Sequence, residues 1–307
     1  MVGLFTKQAS KMNRESEPQQ LADAVERVAA SVVGLPTRRV RSAGVVWRAG
    51  VAVASASALW RSNRVPVVLP DGEQVDGTVR GIDPATDLAV VAFADSSSAM
   101  PIAPDAETAA AVRVGDVVFA VGREPSGHVQ ASFGHIGAVA GPWRTWRGGQ
   151  LDQLIRLDGG LYPGLLGAAV ADAAGRVLGI ASAAFSRHHG VVVPRATIER
   201  VIEPLLTHGR VARGYLGIAA QPVRAQRDGV AVDGLLVTSV ADDSPAARAG
   251  VLVGDVLVTL GGEPAGSLER VRERLQVGAQ IELGIARGGR AQTLTLQVIE
   301  RPHARCG

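Results

Sequence analysis

The stretch LYPGLLGAAV, residues 161 to 170, sets Gly164 and Gly167 around a pair of leucines. Tight turns framed by glycine in this way lift a nucleophile above a sheet edge, where a hydroxyl or thiol helped by a base attacks a carbonyl carbon. The tip residue here is Leu166, whose hydrocarbon side chain has no lone pair for that step. Cys306, the only thiol, stands next to the last residue, so the chain has no internal disulfide and no thiolate metal cluster. The six histidines are His128, His135, His188, His189, His208 and His303. His135 follows Gly134 in a predicted strand and reads as a half-buried histidine bonded to backbone. His188 and His189 are adjacent, which on a strand turns them to opposite faces, and no third ligand stands at a recognisable spacing. No metal and no cofactor is expected.

The elements that must hold these residues are short. Of 307 residues, 47% are hydrophobic and 20% charged, a globular balance, and 37 glycines favour many turns and brief strands over long helices. All but two of the 32 cationic residues are arginine, and a net charge of +3 without a dense basic run argues against a nucleic acid partner. Uncharged runs such as Ala49 to Trp60 and Gly159 to Ala171 fall short of the roughly 20 residues that span a bilayer. The start, MVGLFTKQASKMNRESEPQQ, shows no apolar signal core, so the cytoplasm is the default expectation.

Apolar spacing at Leu21, Val25, Val28 and Val32 predicts an amphipathic helix over 20–33. From about residue 40 to 195, runs such as VVLPDGEQV, VGDVVFAVG and GRVLGIASAAF predict two successive blocks of strands, best packed as two β-barrels. A helix is expected within 194–211, stopping at Gly209. A third unit of about ninety residues follows, with Ser244 as a helix N-cap, the turn Gly254-Asp255, and a helix from Ser267 to Leu275. The tail RPHARCG reads as frayed.

DPATDLAVV (83–91), SFGHIGAVAG (132–141), RLDGGLYPGLLGAAV (156–170), GRVLGI (175–180) and RGYLGI (213–218) occur in one specific order. On these the chain, from about residue 20 to 302, resembles the HtrA/Deg family, chymotrypsin-like serine proteases followed by a PDZ domain. The resemblance implies a mainly β double barrel over 20–208 and a small α+β PDZ domain over 209–302, with a flexible segment at 1–19 and a tail at 303–307. It places the triad acid at Asp87, the base at Ser57 and the nucleophile at Leu166, in Pro163-Gly164-Leu165-Leu166-Gly167-Ala168. A serine does not take up a proton near neutral pH as imidazole does, so base and nucleophile are both lost and the expectation is a pseudoprotease. The lysines, Lys7 and Lys11, precede the aligned region and exclude a Ser-Lys dyad. Asp87, without an imidazole to orient, is expected to cap nearby backbone amides. Backbone amides at Gly164 and Leu166 would remain as a residual oxyanion hole.

The resemblance also implies a peptide site in the PDZ domain. Tyr215-Leu216-Gly217-Ile218 matches its carboxylate-binding loop, a ligand strand is expected beside Ile218 and Ala219, and Leu268, Val271 and Leu275 would form the opposite wall. The expected ligands are protein C-termini with an apolar last residue or unfolded polypeptides. Active HtrA paralogues and a homo-trimer are further expected partners. Relatives usually work outside the cytoplasm. The alternative is an active endopeptidase using another residue set, with Ser55 or Ser57 as nucleophile.

Overall fold

The structure, a computed structural model, describes residues 19–300 except 38–39, 61, 97, 103–110, 268–270 and 272–274. Helix α1 (residues 19–29) leads into β1 (Val32–Pro36), β2 (Arg41–Arg48), β3 (Val51–Ser55), the one-turn helix α2 (Ala56–Leu59), β4 (Arg64–Val68), β5 (Gln74–Asp83) and β6 (Leu88–Phe93). These six strands close into an antiparallel barrel in the order β1-β2-β3-β6-β5-β4. Alanine and valine dominate β3 and β6, and small or β-branched side chains suit a narrow barrel interior.

A second barrel, β11-β14-β13-β12-β7-β8, is built from β7 (Val117–Arg123), β8 (Val129–Ala140), β11 (Leu154–Leu157), β12 (Ala169–Asp172), β13 (Val177–Ser182) and β14 (Val191–Pro194). The short pair β9 (Trp143–Arg144) and β10 (Gln150–Leu151) projects between β8 and β11. Helix α3 (Arg195–His208) buries Ile198, Val201, Ile202 and Leu205, and Gly209, at φ +72°, ends it by donating its N–H to the Leu205 carbonyl. The double barrel is thus as expected, and α3 lies inside its predicted range. The first helix is shorter than its periodicity suggests: Val32 and Val33 are fully buried as barrel residues paired with Val45 and Gly44, so α1 stops before them. Tertiary pairing overrides the 3.6-residue period there.

One arginine ties the barrels. Arg123, at the end of β7, is 6% exposed and donates Nε to the Val32 carbonyl at 2.8 Å, Nη2 to Ala29 at 2.8 Å, and Nη1 to Gly127 at 2.7 Å and Pro70 at 3.3 Å. Burial lowers its pKa, partly countered by the charge of Asp71.

The chain divides after Val211 into two compact units. The second holds β15 (Gly214–Tyr215), β16 (Ile218–Arg227), β17 (Val230–Val240), helix α4 (Pro245–Arg248), β18 (Val256–Leu260), β19 (Glu263–Pro264), β20 (Gln280–Arg287), β21 (Arg290–Gln297) and β22 (Ile299–Glu300). Its main sheet runs β16-β17-β18-β20-β21, with β19 on β18, around its own core of Leu216, Leu235, Leu257, Val271, Leu283 and Ile285. Ser244 caps α4 as expected, accepting from the Ala247 N–H at 3.1 Å. The predicted 1–19 segment, apart from Gln19, and the tail lie outside the described residues, as does most of the expected helix at 267–275. Among the described residues no helix is long and apolar enough to cross a membrane.

Candidate functional site

Asp87 sits on the turn from β5 to β6, which Asp83 shapes by accepting from the Ala85 amide at 3.3 Å and the Thr86 hydroxyl at 2.6 Å. The turn leaves Asp87 at φ +57°, a left-handed conformation that side chains other than glycine adopt at a cost. Its carboxylate is fully buried. Oδ2 accepts from Ser55 Oγ at 2.7 Å and Ser182 Oγ at 2.6 Å, and Oδ1 accepts from the Ser57 amide at 2.8 Å. Ser55 closes β3, Ser57 lies in α2 and Ser182 closes β13, so both barrels supply donors. The hydroxyls of Ser55 and Ser57 are 2.7 Å apart. Burial pushes the Asp87 carboxyl above its ordinary range, and the bonds from Ser182, Ser55 and Ser57 oppose that. Asp87 therefore caps one amide, as expected, but its other partners are hydroxyls.

The glycine-framed turn lies beside this cluster. Gly167, at φ +77°, donates to the Ala181 carbonyl at 2.8 Å, and a Cβ at this position would overlap the Ala43 carbonyl and come within 2.9 Å of Ser55 N. Leu165 is fully buried in the second barrel core, whereas Leu166 is half-buried, packs on the first barrel core and accepts the Ala43 amide at 2.9 Å. The amides of Gly164 and Leu166 have no hydrogen-bond partner among the described residues.

A cleft of about 580 Å³ opens beside the turn, lined by Phe119, Phe133, His135, Tyr162 and Leu165 among others. Neither Ser55 nor Ser57 lines it; Ser57 instead borders a larger hollow of about 1190 Å³ with Trp60, Arg64, Pro84 and Arg147. His135 lies on β8 as predicted but is exposed rather than half-buried, because it falls on the outward phase of the strand. His188 and His189 occupy the loop between β13 and β14, where the Ser186 hydroxyl accepts both of their backbone amides. Among the described residues no group of His, Cys, Asp and Glu has metal-binding geometry.

In the second unit, Tyr215 ends β15, Leu216 is buried, and Gly217 at φ +87° lies so close to the Ser244 side chain that a Cβ would overlap it. The Gly217 carbonyl accepts from the Ala241 N–H and the Leu216 carbonyl from Ala246. Ile218 opens β16, and Val271 is buried in this unit's core. Leu268 lies outside the described residues. Ala219 pairs inward with Ser239, so the backbone groups on the strand's free side belong to Ile218 and Ala220 instead.

Sequence reasoning assigned no role to Ser182. Its only signal is a polar residue closing the apolar run VLGIAS, which carries meaning once the fold brings β13 against Asp87.

Two six-stranded barrels flanking a cluster of hydroxyls on a buried aspartate define a trypsin-like peptidase fold. Residues 42–180 match the trypsin-like peptidase domain model and residues 236–287 the PDZ domain model. The chain is 31% identical over 296 residues to the putative serine protease HhoA of Synechocystis sp., covering 87% of this chain and 73% of that one. It is 33% identical over 268 residues to a probable periplasmic serine endoprotease DegP-like of Brucella suis, covering 77% of this chain and 48% of the relative, about half its length. The solved HtrA-type protease AlgW with tripeptide superposes with a TM-score of 0.72 at 27% identity, over 94% of this chain and 99% of that one. The serine endoprotease from Yersinia pestis superposes with a TM-score of 0.75 at 25% identity, over 92% and 98%. The chain belongs to the HtrA family.

Proposed function

We propose that this chain binds polypeptides without hydrolysing them. It is a catalytically inactive HtrA-family protein whose PDZ unit takes protein C-termini or unfolded segments, acting as an adaptor, chaperone-like holder or regulatory partner in protein quality control. One observation carries the reading: the partners of buried Asp87 are three serines, and the turn beside them ends in Leu166. Hydroxyls with ordinary proton affinity accept no proton near neutral pH, and an alkyl side chain forms no acyl intermediate. Support for peptide binding comes from the backbone edge at Ile218 and Ala220, and from an HtrA-type relative solved with a tripeptide.

The purified chain incubated with unfolded casein should leave it intact. Turnover that Ser57→Ala abolishes would overturn the proposal. A second reading has its own observation: the relatives are described as proteases, and Ser57 Oγ contacts Ser55 Oγ, which donates to buried Asp87. Under that reading a serine-directed fluorophosphonate labels Ser55 or Ser57; under ours it labels neither.

A further inference from the structure

Strand β16 is the edge of the second unit's sheet and pairs only with β17 among the described residues. The register decides which of its residues face the free side. Val237 in β17 donates to the Asp255 carbonyl at 2.8 Å and accepts from the Gly254 amide at 2.9 Å, so its backbone groups point away from β16. Leu235, two residues earlier on a pleated strand, points the same way. Their partners across the ladder are Ala220 and Pro222. Neither pair is bonded to the other, so Ala220 and Pro222 direct their own backbone groups to the open edge, and by alternation Ile218 does too. Ile218 and Ala220 each offer an N–H and a C=O. Pro222 offers a C=O alone, and its ring occupies the place of the missing hydrogen.

We propose that Pro222 ends the ligand ladder, so that this unit reads only about the last four residues of an extended C-terminal segment. The inference rests on the peptide-binding reading above. A segment antiparallel to β16, with its carboxylate at Leu216 and Gly217, advances two residues for each outward position. Its last residue meets Ile218, its third from the end meets Ala220, and its fifth meets Pro222. That fifth residue presents a carbonyl where no donor exists, against a ring carbon. Its N–H can still meet the Pro222 carbonyl, but the reciprocal bond is lost and the ring crowds the chain, so longer ligands gain little further strand pairing.

The test uses the full chain and fluorescein-labelled peptides of three, four, six and eight residues, all ending in Ala-Val-Leu with a free carboxylate, extended by alanine and serine. Affinity should rise to four residues and then stay within about twofold, while Pro222→Ala should bind the two longest peptides about fivefold more tightly and the shortest one unchanged, as expected for one restored hydrogen bond. Pro222→Ser serves the same purpose if the alanine variant fails to fold by circular dichroism. Affinity that keeps climbing through eight residues in the unaltered chain, or a folded variant that shifts all lengths equally, overturns the inference and leaves peptide binding standing. No binding at any length overturns the reading and the inference together.

Discussion

Asp87 concentrates the chemistry of the first unit in one carboxyl group. Because burial raises its proton affinity in the fold, the protonated form is favoured and the charged form penalised. Stability from this group is complete below the ordinary value of 3.8 and drains away as pH climbs through the raised value. Asp87→Asn removes that dependence, so the urea midpoint of the unaltered chain should fall relative to the variant's from about pH 4 upward. A flat difference would mean the hydroxyl bonds cancel burial. The proposed inactivity is testable at the same scale: Ser57→His with Leu166→Ser should raise casein hydrolysis about a hundredfold over the unaltered chain, measured by release of soluble fragments. Loss of Leu166 from the first barrel core should also cost about 1–3 kcal/mol of stability.

Elements hold these groups through glycine turns that no other residue fits. Gly217→Ala is expected to destabilise the second unit by about 2–4 kcal/mol, because the new Cβ drives into Ser244 and displaces the cap of α4. Thermal unfolding followed by circular dichroism reads this directly. Much of the architecture was legible from local pattern. The strand runs, the Gly209 stop and the Ser244 cap each depend on neighbours within a few residues, and each is found in the structure. What was not legible depends on long-range pairing. Val32 fits a helical period yet joins β1, Ser182 acquires a partner 95 positions away, and His135 is exposed by a strand phase that its own sequence leaves open. At the candidate site, residue types were readable but hydroxyl directions were not. The bulge between Ala219 and Ala220 and the outward phase of Pro222 likewise emerge only from pairing with β17.

At the scale of the molecule, each unit has its own core, so calorimetry should resolve two transitions. Asp255 assigns one of them. Burial opposes its ionisation, but the fork of Arg287, at 2.8 and 2.7 Å, and the Leu252 amide outweigh burial and hold the carboxyl below its ordinary value. The stability it confers is present above that value of 3.8 and lost as pH falls through the lowered one. Asp255→Asn should lower only the second unit's transition, because the fork of the partly exposed Arg287 loses its charged partner. The barrels of the first unit are joined on another principle. The guanidinium of Arg123 is solvated by four peptide dipoles, with no carboxylate at bonding distance among the described residues. Dissolved ions screen pairs of opposite charge at the surface, but they have no access to a cation wrapped in carbonyls. This tie between the barrels therefore answers to brine less than a surface ion pair does, with only the charge of exposed Asp71 left for dissolved ions to mask.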